Sequence, residues 1–112
     1  MHSPHAKRKA LQALYGGPLT VGLLSGVREV SDANYRRQSL RMVQDGEDAV
    51  SNEAEVRFPP FAADMRGIVD GWFILDEDGE ELTREPLERP KQPEIGESAY
   101  FAPGTLIARW RA

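Results

Sequence analysis

The sequence has 112 residues and no cysteine, which excludes a disulfide scaffold, a thiolate zinc site and a cysteine nucleophile. It also has no apolar run of about 18 residues, and no apolar stretch follows its basic start. We therefore expect neither a membrane span nor a signal peptide. The two histidines, His2 and His5, lie in the N-terminal segment, where nothing predicts the fixed position that a general base needs.

Motifs for nucleotides and metals are also missing or incomplete. No glycine-rich phosphate loop followed by Lys-Ser or Lys-Thr occurs. Asp76 and Asp78 imitate part of a calcium-binding loop, but Ile74 stands where the first aspartate ligand belongs. We predict a hairpin turn over residues 76–80 instead, and we expect no catalytic residue, no cofactor and no metal site.

Glycine and proline are plentiful: ten glycines and eight prolines indicate a chain with many turns. Short apolar segments between these turns are typical of a sandwich or barrel, and the length fits one small domain. We predict a mainly β protein, an antiparallel β-sandwich or partly open barrel with a short N-terminal helix. The N-terminal arm and helix would occupy residues 1–18, and a single β-sandwich domain would occupy residues 19–112.

The apolar spacing places the first elements. Leucines at positions 11 and 14 predict a helix that ends at Gly16-Gly17-Pro18. Residues 19–24 then alternate as a strand, with Gly22 on the face where a large side chain can approach closely. Residues 67–76 are apolar on both faces, so we expect a central strand that is covered on both sides.

Other segments carry weaker patterns. Residues 35–42 alternate as a polar ribbon, which predicts one strand, either at an edge or with a surface that is buried only in an assembly. Residues 44–53 are acidic and rich in turn residues, which predicts a surface loop. Residues 81–85 should return from the hairpin as a strand, and residues 89–96 should form an irregular connector.

Charge is unevenly distributed along the chain. Residues 1–42 carry seven basic and two acidic side chains, whereas residues 43–112 carry seven basic and 16 acidic ones. Opposite patches of this kind can contact copies of the same chain or other proteins, although solvated ends would explain them equally well. Three clustered basic residues in an acidic protein are a weak footprint for nucleic acid. The residues that we predict to contact partners are Lys7, Arg8, Lys9, Arg36, Arg37, Arg41, Trp110 and Arg111.

Short segments along nearly the whole chain follow a distinctive order. The chain opens with a helix that carries paired leucines, a strand containing Val-Gly-Leu and a tyrosine–arginine turn, at residues 9–16, 19–24 and 35–38. A Phe-Pro-Pro segment then precedes the strand Ile-Val-Asp-Gly-Trp-Phe-Ile-Leu-Asp. The closing segments are residues 79–82, 86–91, 95–97 and 101–106. This order resembles a family of small bacteriophage virion structural proteins, described as tail fibre, minor tail, head or decoration proteins.

The resemblance implies a non-enzymatic virion structural protein that binds other capsid or tail subunits. Capsid decoration, or cement, is the first interpretation, and tail or fibre attachment is the second. We expect a multi-copy or homo-oligomeric protein of the virion, made in the host cytoplasm, without membrane or nucleic-acid partners. The alternative is a small receptor- or carbohydrate-binding module, which an exposed Trp72 and Tyr100 would support.

Overall fold

The computed structural model describes residues 4–63 and 68–110, which form one helix and a set of antiparallel strands. The predicted fold class is confirmed: the protein is mainly β and sandwich-like, and its sheets do not close into a barrel. The elements are α1 (Pro4–Tyr15), β1 (Leu19–Ser25), β2 (Arg28–Glu29), β3 (Gln38–Leu40), β4 (Met42–Gln44), β5 (Ala49–Asn52), β6 (Val56–Arg57), β7 (Val69–Leu75), β8 (Glu81–Lys91), β9 (Tyr100–Phe101) and β10 (Ile107–Arg109).

The helix ends where its sequence predicts. Pro4 opens it, because a proline in the first turn lacks only an N–H that would have no helical partner. At the other end the Gly16 N–H donates to the carbonyl of Gln12 at 2.9 Å. Leu11 and Tyr15 are buried, and through them α1 packs against β4 and β5. A helix of this length is marginal alone, so this packing stabilises it.

The largest sheet is organised around β1. One edge of β1 pairs with β7, and the other edge pairs with β2 near one end and with β3 near the other. Val21 lies opposite Ile74 and Leu23 opposite Trp72, and all four side chains face the core. The prediction that the strand at residues 67–76 is central and covered is confirmed for β7, which lies between β1 and β8.

The second layer corrects one prediction. Residues 44–53 are not a surface loop, because residues 49–52 form β5, a fully buried strand between β4 and β10. Asn52 explains how a polar segment can be buried here. Its side-chain amide donates to the carbonyls of Ala54 and Ala102 at 2.9 and 3.0 Å, and its Oδ1 accepts the N–H of Leu106 at 2.9 Å. The hydrogen bonds replace those that water would have made.

Two strands have different bounds from those predicted. Residues 35–42 are not one strand, because the chain leaves the first sheet after β3, passes Arg41 and enters the second sheet as β4. The return strand continues past residue 85 to Lys91, so the first part of the predicted connector belongs to β8. The register slips between Val69 and Gly71, where residues 86–91 of β8 oppose only three residues of β7. β8 therefore leaves the sheet as a bulge.

Candidate functional site

An apolar surface lies where α1 ends. Leu14 is 50% exposed although it belongs to the packed helix. It lines a groove of about 180 Å³ together with Leu82 of β8 and Trp110, which are partly buried. We call these three residues the helix-end patch. An exposed leucine beside a tryptophan is typical of surfaces that bind another protein.

The hairpin between β7 and β8 borders the helix-end patch with negative charge. Asp76 and Asp78 line a groove with Leu14 and Leu82. The Asp76 carboxylate accepts the N–H groups of Asp78 and Glu80, both at 2.9 Å, so it caps the turn. This confirms the predicted hairpin. In the part of the chain that the structure describes, no group of three or more acidic, histidine or cysteine side chains could hold a metal ion.

The three basic residues predicted on α1 point in different directions. Lys7 lies seven positions before Leu14, so the two share a stripe of the helix. Arg8 lies one turn before Gln12, which lines a groove of about 210 Å³ with Arg41. Lys9 is exposed. Within the described residues none of the three forms an ion pair.

Arg41 is therefore near the helix, between β3 and β4. Its Nε lies 3.4 Å from Oε2 of Glu53, and the two side chains are 81% and 53% exposed. Exposed pairs of this kind contribute little to stability because water screens them. The charge of Arg41 remains accessible to a partner.

Arg37 is held very differently from Arg41. Its guanidinium binds both carboxylate oxygens of Glu29, at 2.9 and 2.8 Å, and lies over the ring of Phe73, 5.4 Å from its centroid. The hydroxyl of Tyr35 donates to Glu29 at 2.7 Å and accepts the N–H of Leu23 at 3.0 Å. We call Glu29, Tyr35, Arg37 and Phe73 the Tyr35 cluster. In this cluster the charge of Arg37 is paired with Glu29 of the same chain.

The pKa values reflect this arrangement. The hydrogen bond from Arg37 lowers the pKa of Glu29 below its ordinary value of 4.5, although partial burial acts in the opposite direction. Burial raises the pKa of Tyr35, and its hydrogen bond to Glu29 raises it further. The adjacent Arg36 donates hydrogen bonds to the backbone carbonyls of Ala33 and Tyr35, at 3.3 and 2.7 Å. Arg36 is exposed.

The predicted aromatic residues are divided between core and surface. Trp72 is 3% exposed, so the expectation that it could bind a carbohydrate is wrong: the side chain packs in the core beside β1. Tyr100 is 37% exposed and lines a groove of about 360 Å³ with Leu87 and Phe101. Arg57 stacks on the Tyr100 ring at 4.6 Å. Arg111 lies outside the described residues.

Sequence reasoning missed two parts of this surface. The leucines at positions 11 and 14 predict the helix but not the exposure of Leu14, and the strand predicted over residues 81–85 does not indicate that Leu82 lies beside Leu14. The position of Leu14 is a usable signal, because it lies at the edge of the stripe that Leu11 and Tyr15 define. Its proximity to Leu82 could not be predicted, since the two residues are 68 positions apart.

Comparison with known proteins places the chain in a family. A family model described as "Podophage GP4 fiber I protein gp80" matches residues 11–109, which is nearly the whole chain. A search of curated proteins gave no match. Over the residues that the structure describes, no helix is both long and apolar enough to span a bilayer. The chain belongs to the podophage GP4 fiber I protein gp80 family, a family of bacteriophage fibre-type virion structural proteins.

Proposed function

We propose that this chain is a non-enzymatic subunit of a phage fibre, and that it holds neighbouring virion proteins through the basic surface around α1. One observation carries the proposal: Arg41 lines the groove between α1 and β4, Arg8 lies one turn before Gln12 of the same groove, and among the described residues neither charge is buried against a carboxylate. An acidic surface of a neighbouring subunit would complement them. Long-range attraction of this kind mainly selects the partner and speeds its binding.

Family membership supports the fibre over the capsid as the place of this subunit. Capsid decoration, the first interpretation of the sequence, is the competing placement. Gold-labelled antibody against an epitope tag distinguishes them, because fibre subunits would be labelled at the tail and decoration subunits over the capsid surface. Label over the capsid would overturn the fibre placement.

The contact surface is tested in assembled phage. Reversing Arg8 and Arg41 together (Arg8→Glu, Arg41→Glu) should lower the number of copies per particle by at least about tenfold, since attraction becomes repulsion at both positions. Quantitative mass spectrometry of purified particles measures the copy number. Circular dichroism of the isolated variant checks that it folds.

A matched control makes the same change of charge elsewhere. Arg28 and Arg89 are exposed and lie on β2 and β8, away from the groove beside α1. Particles with Arg28→Glu and Arg89→Glu should keep their normal copy number. Equal loss from both double variants would mean that net charge matters and the groove does not.

The groove beside Tyr100 supports a second candidate function, binding of a carbohydrate receptor. Its exposed ring, its volume of about 360 Å³ and the nearby Lys91 suit a sugar that stacks on an aromatic ring and accepts hydrogen bonds. Glycan-array binding by the isolated chain should then disappear in Tyr100→Ala. Retained binding, or no glycan bound by the parent chain, would reject this candidate.

A further inference from the structure

The surface of α1 and of its C-terminal end has three zones. Lys7 and Lys9 flank the alanine face of the helix as a basic zone, the helix-end patch lies where the helix ends, and the acidic hairpin borders that patch. Lys7 precedes Leu14 by about 10 Å along the helix axis. Glu77 and Asp78 line the groove that they share with Leu14.

Neither charged zone is neutralised by the rest of the described chain. No ion pair among the described residues involves Lys7, Lys9, Glu77 or Asp78. The acidic hairpin borders the end of the helix at Leu14, whereas Lys7 lies about two turns earlier on the helix. Both therefore retain their charge for a partner.

The helix surface between the two lysines is also flat. Ala6, Ala10 and Ala13 occupy it, and their small side chains let another surface approach the helix backbone closely. Leu14 projects from the end of this flat area. A partner that also has a projecting apolar residue beside a flat surface would fit this part of the chain.

We propose that the partner is a second copy of this chain, bound across a twofold axis that passes through Leu14. A twofold axis reverses the order of the zones, so the lysines of each copy meet the acidic hairpin of the other, twice in one interface. The helix-end patches then pack on each other at the centre. The inference rests on the proposed function, that the chain works by binding virion proteins, and names one of those proteins as the chain itself.

The first test is the oligomeric state of the full chain in solution. Sedimentation velocity from about 1 μM to about 1 mM should show a reversible monomer–dimer equilibrium. Leu14→Asp should weaken dimerisation by at least about a hundredfold, because each substitution acts twice in a twofold interface. A parent chain that stays monomeric over this range overturns the proposal, as does one that forms open-ended polymers.

Charge exchange provides the sharper test. The variant Lys7→Glu, Lys9→Glu and the variant Glu77→Lys, Asp78→Lys should each be monomeric, because like charges meet in both halves of the dimer. A mixture of the two should form a mixed dimer, and the chain with all four substitutions should dimerise alone. Failure of both combinations to restore association contradicts the proposed pairing.

Matched controls carry equal changes of charge on β2, at the far end of β8 and in the segment that follows β8. Arg28→Glu with Arg89→Glu, and Glu88→Lys with Glu94→Lys, should dimerise like the parent chain. Equal loss in these controls would overturn the assignment of the surface. A monomeric parent that still requires Arg8 and Arg41 for incorporation into particles would reject the twofold dimer and leave the proposed function intact.

Discussion

The Tyr35 cluster and the helix end both contain charged residues beside apolar ones, but they use charge in opposite ways. In the Tyr35 cluster, Glu29 and Arg37 form a two-point ion pair within the chain, and the pair closes over Phe73. At the helix end, the lysines of α1 and the acidic residues beside Leu14 form no ion pair among the described residues. The same kinds of residue therefore stabilise the fold in one region and are available for binding in the other.

A methyl group added at a glycine should produce the largest difference in stability between the two regions. A Cβ on Gly22 would overlap the ring of Phe73 and lie 2.8 Å from the Tyr35 hydroxyl, so Gly22→Ala should lower the free energy of unfolding by about 3 kcal/mol. At the helix end, a Cβ added to Gly17 would meet open space. Gly17→Ala should therefore change the free energy of unfolding by less than about 0.5 kcal/mol. Urea unfolding measures both. Similar values for the two variants would remove the distinction.

Charge reversal at each of two adjacent arginines distinguishes the arginine that is held in an ion pair from the one that is exposed. Arg37→Glu places two carboxylates together in the Tyr35 cluster and should cost about 2 kcal/mol of unfolding free energy. Arg36→Glu removes bonds to backbone carbonyls at the surface and should cost less than about 0.5 kcal/mol. Thermal unfolding of the two variants gives the comparison. An equal cost would show that the ion pair with Glu29 contributes nothing specific.

Ionisation of Glu29 should make the stability of the folded chain depend on pH. Its pKa is lower in the folded chain than its ordinary value of 4.5, so it contributes stability above that pH and loses this contribution as the pH falls through the folded pKa. Glu29→Gln should be less stable than the parent by about 1 kcal/mol at pH 7, and the difference should shrink as the pH falls below 4.5 and through the folded pKa. Unfolding curves across this range test it. A difference that does not depend on pH would contradict the ion pair.

The smallest effect, and the only stabilising one, is expected at the helix end. No acidic residue lies in the first turn of α1, and Lys7→Glu would place a negative charge near the positive end of the helix dipole. The unfolding free energy should rise by about 0.3 kcal/mol, measured by urea unfolding of monomer at low concentration. A clear loss of stability would mean that Lys7 has a structural partner, as Arg37 does.

Local patterns were enough to predict several elements. The helix end at Gly16, the buried strand β7 and the hairpin capped by Asp76 all depend on residues close together in sequence. The close approach at Gly22 was also predicted, because a glycine inside an apolar strand leaves room that a large neighbour fills. Phe73 is that neighbour.

Other features depend on pairing that local sequence does not specify. β5 consists of small and polar residues, and its burial depends on β4, β10 and the hydrogen bonds of Asn52 with residues about 50 positions away. Arg37 looked like a surface charge because its partner, Glu29, lies across a turn. Opposite charges on both sides of a turn cluster were the available signal. The proximity of Leu14 to Leu82 depends on the complete sheet.

The three-way pairing of β1 also affects how the chain must fold during its synthesis. β1 pairs first with β2 and β3, but its long partner β7 places Leu75 opposite Thr20, 55 positions later. At ordinary translation rates this delay is about 3–10 s, during which one edge of an apolar strand has no partner. The strands that α1 packs against, β4 and β5, are synthesised within that interval. Until β7 arrives, the open edge of β1 is the surface through which one nascent chain can pair with another.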